Sequence, residues 1–304
     1  MNCAICHSTN IQQGPKNGSY TLQHCHQCGV EFWNPLTHPG EEFYETSDLH
    51  DIKGRRDLQW RHRQFLKKPP LTKGKLLDIG CGTGEFLMHC KQRGFEVCGI
   101  DIAARNIQEI KRRYGISQVY QGTIKDFVAQ HTQAKFDIIT FFEIVEHLAD
   151  PIDFLNDVKK ILNPGGYIVV SVPNAARFGG LKEKEENPPN HLFRWRKKPL
   201  QLFLQQEGFI NIDVRMQKIS HEFFLVRGYF SLGVASKIAN KKEDVHGSNQ
   251  VQKESTTKKI IRILAQYKNR AVIPLAVLLA FPLRLVGYEY WDMYATAQYQ
   301  IKQK

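Results

Sequence analysis

The sequence predicts an α/β protein: a doubly wound, mostly parallel sheet with a small cysteine-closed module in front of it. Three observations carry this. From Lys73 to Met216, short apolar runs alternate strictly with helical stretches, the order that puts helices on both faces of a parallel sheet. The first apolar run ends in Gly80-Cys81-Gly82-Thr83-Gly84, a glycine-rich connection into the first helix. Four cysteines fall within the first 28 residues as two Cys-x-x-Cys pairs.

Residues 1–40 are short of aliphatics and rich in Cys, His, Gly and Asn, so hydrophobic burial alone is not expected to hold them. Cys3-x-x-Cys6 and Cys25-x-x-Cys28 are separated by 18 residues, the interval of a zinc ribbon. Four thiolates on two tight turns make a closed tetrahedral zinc site, with no open position for substrate and hence a structural role. Iron, or a cysteine site completed by His7, His24 or His26, remains as an alternative. The chain opens Met1-Asn2-Cys3 without an apolar signal stretch, so a reducing, cytoplasmic setting is expected, in which paired cysteines are metal ligands rather than disulfides.

Residues 41–72 are expected to be a linker helix. Leu58, Arg61, Phe65 and Leu66 recur at helical spacing, and Pro69-Pro70 ends the run. From Lys73 the elements follow in order. Leu76–Ile79 reads as a strand, Gly84–Arg93 as a helix stopped by Gly94, Val97–Ile100 as a strand and Ile107–Tyr114 as a helix stopped by Gly115. Asp137–Phe142 is the next strand and Pro151–Leu162 the next helix, ended by Pro164-Gly165-Gly166. Tyr167–Val172 is a strand, Leu200–Gln206 a helix and Phe209–Met216 a strand, whereas 240–259 is polar and reads as a loop.

Chemistry concentrates at the first connection. Glycines let the backbone turn sharply and approach a ligand, and the helix that follows offers unpaired N–H groups to an anionic group. Asp101 ends the second strand 21 residues after Gly80, where a carboxylate can accept hydrogen bonds from both ribose hydroxyls. The Gly-x-Gly-x-Gly spacing differs from the Gly-x-Gly-x-x-Gly that accommodates a dinucleotide pyrophosphate.

On these residues the sequence resembles the class I S-adenosylmethionine-dependent methyltransferases over residues 73 to about 215. Leu76–Gly84 is similar to the family's first motif, Gly99-Ile100-Asp101 to its second, Phe136–Pro151 to its fourth-strand motif and Leu162–Tyr167 to the turn before the fifth strand. The resemblance implies a Rossmann-like, mostly parallel seven-stranded sheet closed by an antiparallel pair, with Tyr290–Ala297 as last strand. It also implies S-adenosylmethionine as cofactor, held by Asp78, Gly80, Cys81, Gly82, Gly84, Asp101, Ile102, Thr123, Ile124 and Phe142. Thr123 stands where many relatives have an Asp for the adenine amine, so backbone and Ile124 are expected to hold the adenine. The segments Asn187–Trp195 and Gln206–Phe209 resemble a bacterial subgroup that often carries an N-terminal Cys-rich module, with relatives in quinone, sugar and glycan assembly.

For the acceptor, Glu143, Glu146 and His147 form Glu-x-x-Glu-His. On one helical turn after a strand, all three would face the cleft. The pattern resembles the divalent-metal site of quinone and small-RNA O-methyltransferases and would suit magnesium; the other reading is a helix-start acid and a packed histidine. His191 lies in the loop after the fifth strand, where a neutral imidazole can take a proton from a hydroxyl, or where it simply braces a Pro-rich loop. The expected catalytic set is His191, Glu143 and His147.

The 304 residues allow one full core plus an accessory module, and 42% hydrophobic with 24% charged residues excludes wholesale disorder. A net charge of +12 raises the prospect of an anionic partner, but the Lys and Arg are spread over several stretches. The expected acceptor is a small-molecule, glycan or lipid-linked hydroxyl or carbon. Rivals are an RNA methyltransferase and a non-catalytic cofactor-binding scaffold. Residues 220–287 read as a helical insertion that either packs on the sheet or a second subunit or contacts a membrane or partner. Its uncharged run Ala271–Leu283 falls short of the ~20 residues needed to span a bilayer, yet its cationic and aromatic flanks fit peripheral contact with the inner membrane face.

Overall fold

The computed structural model describes residues 1–37, 40, 58–177, 186–218 and 290–300. The expected insertion at 220–287 and residues 41–57 of the expected linker lie outside them. Two units divide the chain: 1–175 with 179–217 and 292–304, and 176–178 with 218–291. In the second unit, the Arg177 guanidinium lies 4.2 Å over the Trp291 ring.

In chain order, the first unit opens with β1 (Ile11–Asn17), β2 (Tyr20–Cys25) and β3 (Glu31–Asn34), followed by α1 (Trp60–Lys67) and β4 (Gly74–Ile79). Then come α2 (Glu85–Gln92), β5 (Phe95–Asp101), α3 (Ala104–Tyr114), β6 (Val119–Gln121) and α4 (Ile124–Gln130). β7 (Phe136–Phe142), α5 (Pro151–Ile161), β8 (Leu162–Pro173), β9 (Phe193–Arg194), α6 (Lys197–Gln206), β10 (Phe209–Lys218) and β11 (Tyr290–Tyr299) follow.

The large sheet runs β10-β11-β8-β7-β4-β5-β6. β4 pairs in parallel with β5 and β7, β5 with β6, and β7 with β8, while β11 is antiparallel to β8. This is the mostly parallel, seven-stranded Rossmann-like sheet expected. Alternate residues of each strand feed two cores. Leu77, Ile79, Ile139, Phe141, Ile168 and Val170 point to one face, Leu76, Ile138, Phe142, Val169 and Tyr294 to the other. The strand order reverses between β4 and β7, so a crevice opens at the carboxyl ends of these two strands.

Local chemistry sets the helix ends. Asp150 Oδ1 accepts the N–H groups of Ile152 (3.0 Å) and Asp153 (2.9 Å), and Pro151 takes the first helical position of α5. Gly115 closes α3 in the left-handed region (φ 59°). Periodicity does not announce β6 and α4: β6 has three residues, and α4 buries only Ile124 and Phe127. α1 packs into the second core, with Phe65 fully buried and its ring 5.2 Å from Phe86. Among the described residues, no helix is long and apolar enough to cross a membrane.

The N-terminal sheet differs from expectation. Its order is β1-β2-β3-β9, so its fourth strand comes from Phe193–Arg194. Ile5, Val30 and Phe32 are buried in one core with Leu192, Phe193, Trp195, Leu200 and Phe203. The segment that looked too poor in aliphatics to hold a core borrows its apolar partners from residues far along the chain.

Candidate active site

β4 delivers its carboxyl end to a loop in which Gly80, Gly82 and Gly84 all have positive φ (74°, 53° and 82°). Gly82 does so with open space at its missing Cβ, whereas a Cβ on Gly84 would lie 2.6 Å from Ile110 Cγ1. The neighbouring strand end supplies Asp101, 8% exposed. Its Oδ2 accepts the Gly82 N–H (2.8 Å), and its Oδ1 accepts the Ala103 N–H (2.9 Å) and Asn106 Nδ2 (3.0 Å). Burial raises the Asp101 carboxyl, and these three donors pull it back. Asp78, buried beneath the loop, accepts the Thr140 hydroxyl (2.5 Å), and burial pushes it up to about 7.

α1 packs against α2 and the carboxyl end of β7 with groups that sequence reasoning left unassigned. Arg61 reaches Glu143 Oε1 at 3.5 Å, and its Nε is buried with no hydrogen-bond partner. His62 stacks on Phe86 (centroids 5.1 Å apart) and meets Phe142 edge-on (5.3 Å). Burial, aided by the Arg61 charge, drives His62 down to about 3, so it is neutral, and its Nδ1 accepts the Gln59 N–H. The Tyr294 hydroxyl, on the strand beyond Ser171, is also buried without a partner. The signal for Arg61 was present in the sequence: it shares the spacing of Leu58 and Phe65 on the apolar face.

These groups fit S-adenosylmethionine. The glycine loop, Asp101 and the start of α2 are the groups that could hold a nucleoside, and the buried Arg61 Nε is an unused donor that could meet a carboxylate. Thr123 is exposed and caps α4, its hydroxyl hydrogen-bonded to Asp126 Oδ2 (2.6 Å), whereas Ile124 is buried. Gly122 N–H donates to the Asp101 carbonyl (3.0 Å), which ties this turn to the carboxyl end of β5.

Residues 143–147 form an irregular turn rather than the helical turn expected. Glu143 takes φ 55°, and its Oε1 accepts the Ser171 hydroxyl (2.8 Å). Glu146 and His147 instead meet His191, with one potential ligand atom of each within 4.8 Å of the others. Both Glu146 oxygens are buried without a partner, and burial raises this carboxyl well above its ordinary value, the Glu143 charge adding to the effect. His147 Nδ1 donates to the Asn190 carbonyl (2.7 Å), and His191 Nδ1 lies 3.4 Å from Glu186 Oε1. The bond on Nδ1 leaves Nε2 of His147 as its lone-pair nitrogen, the arrangement that outer partners impose on metal-binding histidines. A buried carboxylate with two oriented imidazoles is a donor set for a divalent cation.

At the N-terminus, Cys3, Cys6, Cys25 and Cys28 converge, with Sγ–Sγ separations of 3.7 Å for Cys3–Cys28 and 3.5 Å for Cys6–Cys25. A tetrahedron with Zn–S bonds of about 2.3 Å has edges of about 3.8 Å, so the four thiols fit zinc. His7, His24 and His26 are not in this cluster.

A family profile described as a methyltransferase domain matches residues 50–214, more than half of the chain. The chain is 37% identical over 103 residues to a ubiquinone biosynthesis O-methyltransferase of Cereibacter sphaeroides, covering 33% of this chain and 41% of that protein. It is 34% identical over 158 residues to the protein of that name from Bartonella tribocorum, covering 50% and 63%. It thus spans about two-fifths to three-fifths of the length of these curated relatives. A crystal structure of a SAM-dependent methyltransferase from Archaeoglobus fulgidus shares the fold, with a TM-score of 0.50 at 20% identity over 78% of this chain and 92% of that one. With the sheet, the glycine loop and the profile in agreement, the chain belongs to the methyltransferase-domain family, the class I methyltransferases that use S-adenosylmethionine.

Proposed function

We propose that the protein transfers a methyl group from S-adenosylmethionine to a hydroxyl of a small aromatic acceptor, gripped by a divalent cation at Glu146, His147 and His191. The observation that carries this reading is Glu146: a carboxylate with two orphaned oxygens is costly to bury and calls for a cation or a proton beside it. The relatives' name, ubiquinone biosynthesis O-methyltransferase, supports the choice of a hydroxyl. Two imidazoles in the set favour manganese, iron or zinc over magnesium, which prefers oxygen ligands.

When bound, S-adenosylmethionine supplies a methyl group on a positively charged sulfur that leaves as a neutral thioether. The chain supplies orientation and exclusion of water. Gly80, Gly82 and Gly84 with Asp101 hold the nucleoside, Arg61 takes the amino-acid carboxylate, and Phe86 and Phe142 with neutral His62 make an apolar wall. Glu143 accepts the Ser171 hydroxyl and pairs with Arg61, which holds the Arg61 guanidinium in place. A cation held by Glu146, His147 and His191 would favour the ionised form of the acceptor oxygen, whose proton would pass to solvent. Zinc at Cys3, Cys6, Cys25 and Cys28 is structural.

Labelled S-adenosylmethionine with catechol and manganese tests the reading. Label on the ring hydroxyl is expected. Label that enters only added RNA, with a steep loss of affinity as salt rises, overturns it in favour of an RNA acceptor.

A further inference from the structure

The four-cysteine module is joined to the acceptor side of the site through an unbroken chain of contacts. Cys25 ends β2, and the turn it shares with Cys28 is closed by Cys25 N–H to the Val30 carbonyl (3.0 Å) and Gly29 N–H to the Cys25 carbonyl (2.8 Å). β3 starts at the next residue, Glu31. Its partner strand is β9, with Glu31 opposite Arg194 and Phe32 opposite Phe193, and Trp33 N–H donates to the Leu192 carbonyl (2.8 Å). The Glu31 carboxylate holds Arg194 Nε (3.2 Å) with one oxygen and Arg196 (3.1 Å) with the other, and Arg194, 5% exposed, also donates to the Ala175 carbonyl (3.2 Å).

On its other side the same segment grips the acceptor turn. The N–H groups of Leu192 and Phe193 both donate to the Glu146 carbonyl, at 2.8 and 3.0 Å. One residue before Leu192 stands His191, whose ring meets that of His147 at 4.6 Å. The segment 191–194 is therefore clamped between a strand set by the cysteine turn and the turn that carries Glu146 and His147.

We infer that metal binding by Cys3, Cys6, Cys25 and Cys28 sets the geometry of the Glu146–His147–His191 cluster, and that Glu31 is the positioning residue through which it acts. The charge pair is nearly dry on the Arg194 side, where an unpaired guanidinium would be costly, so Glu31 fixes the register of β9 as well as its attachment. The cofactor loop 80–84 and Asp101 are held by bonds that do not pass through β3 or β9. The module thus governs the acceptor half of the site and leaves the cofactor half alone. The kinetic side of this inference rests on the acceptor role proposed above; the mechanical side does not.

Hydrogen exchange on the full zinc-loaded chain tests it, with Glu31→Gln, Glu31→Asp and Cys28→Ser. In Glu31→Gln, amides of 190–196 and 144–148 should exchange roughly tenfold faster, while 76–84 and 97–101 keep their protection. S-adenosylmethionine affinity by calorimetry should stay within about twofold, and kcat with catechol should fall without a change in KM for the cofactor. Glu31→Asp should restore part of the protection, and Cys28→Ser should reproduce the Gln pattern with zinc lost. Unchanged exchange at 190–196 in both Glu31→Gln and Cys28→Ser overturns the inference, as does equal loosening of every segment. A chain that shows the selective pattern but does not methylate catechol refutes the acceptor reading and leaves this coupling standing.

Discussion

The rings of His147 and His191 meet edge to face, with centroids 4.6 Å apart and planes at 78°, although 43 residues separate them in the chain. Each has Nδ1 close to an oxygen of the 186–190 loop, and within 4.8 Å of both lies the buried carboxyl of Glu146, whose oxygens have no hydrogen-bond partner.

Manganese should therefore raise the melting temperature of the wild-type chain, since a ligand that binds only the folded state stabilises it by about 2.7 kcal/mol at a hundredfold excess over Kd. Glu146→Gln should weaken this by at least about tenfold in Kd, because the amide keeps the shape and loses the charge. Thermal scans with and without the metal check it, and equal shifts in both proteins would sink the site.

Asp101→Ala should cost about 1–3 kcal/mol of S-adenosylmethionine affinity, the penalty for stranding two ribose hydroxyls together with the Gly82 amide that the carboxylate now holds. Calorimetry reads this directly. Unchanged affinity would remove Asp101 from the ribose role.

Asp78 makes stability depend on pH. Its carboxyl is raised to about 7 in the folded chain from an unfolded value of 3.8, so between these values the folded state holds a proton that the unfolded state has lost. Stability from this group is complete below pH 4 and falls by about 1.4 kcal/mol per pH unit as pH climbs toward 7. Asp78→Asn should abolish that slope, so the wild type should lose stability relative to the variant between pH 5 and roughly 7 in urea unfolding without cofactor. Parallel curves for the two proteins would show that the group titrates normally.

His191→Ala should lower methyl transfer far more than it weakens cofactor binding, because His191 faces Glu146 and His147 rather than the glycine loop. Steady-state kinetics with calorimetry alongside separates the two effects. Full turnover in the variant would make His191 a structural residue.

The cofactor half was legible because its information is local: three glycines at alternate positions and an acid at the next strand end need no knowledge of distant contacts. The acceptor half was only partly legible. Glu143 and Glu146 look equivalent in the sequence, and only the left-handed backbone at Glu143 sends one toward Ser171 and Arg61 and the other toward His191. Arg61 stood in plain view within an amphipathic run, but that run showed a helix and not the elements it would pack against. The convergence of the four cysteines was legible, yet their neighbours Phe32 and Trp33 gave no hint of a partner strand, since a two-residue strand such as Phe193–Arg194 leaves no periodicity to read.

The pairing of Glu31 with Arg194 bridges 163 positions of chain, and that separation bears on biosynthesis. At about 5–20 residues per second, a ribosome needs roughly 8–30 s to make the stretch between them. During that interval β1, β2 and β3 can fold around their cysteines, but the open edge of β3 has no neighbour, and it displays Phe32 and Trp33, both buried in the finished protein. An unpaired, apolar strand edge invites pairing with another nascent chain. Early zinc capture would stiffen this hairpin while it waits, and zinc-starved cells should accumulate the protein as aggregate in proportion to its rate of synthesis.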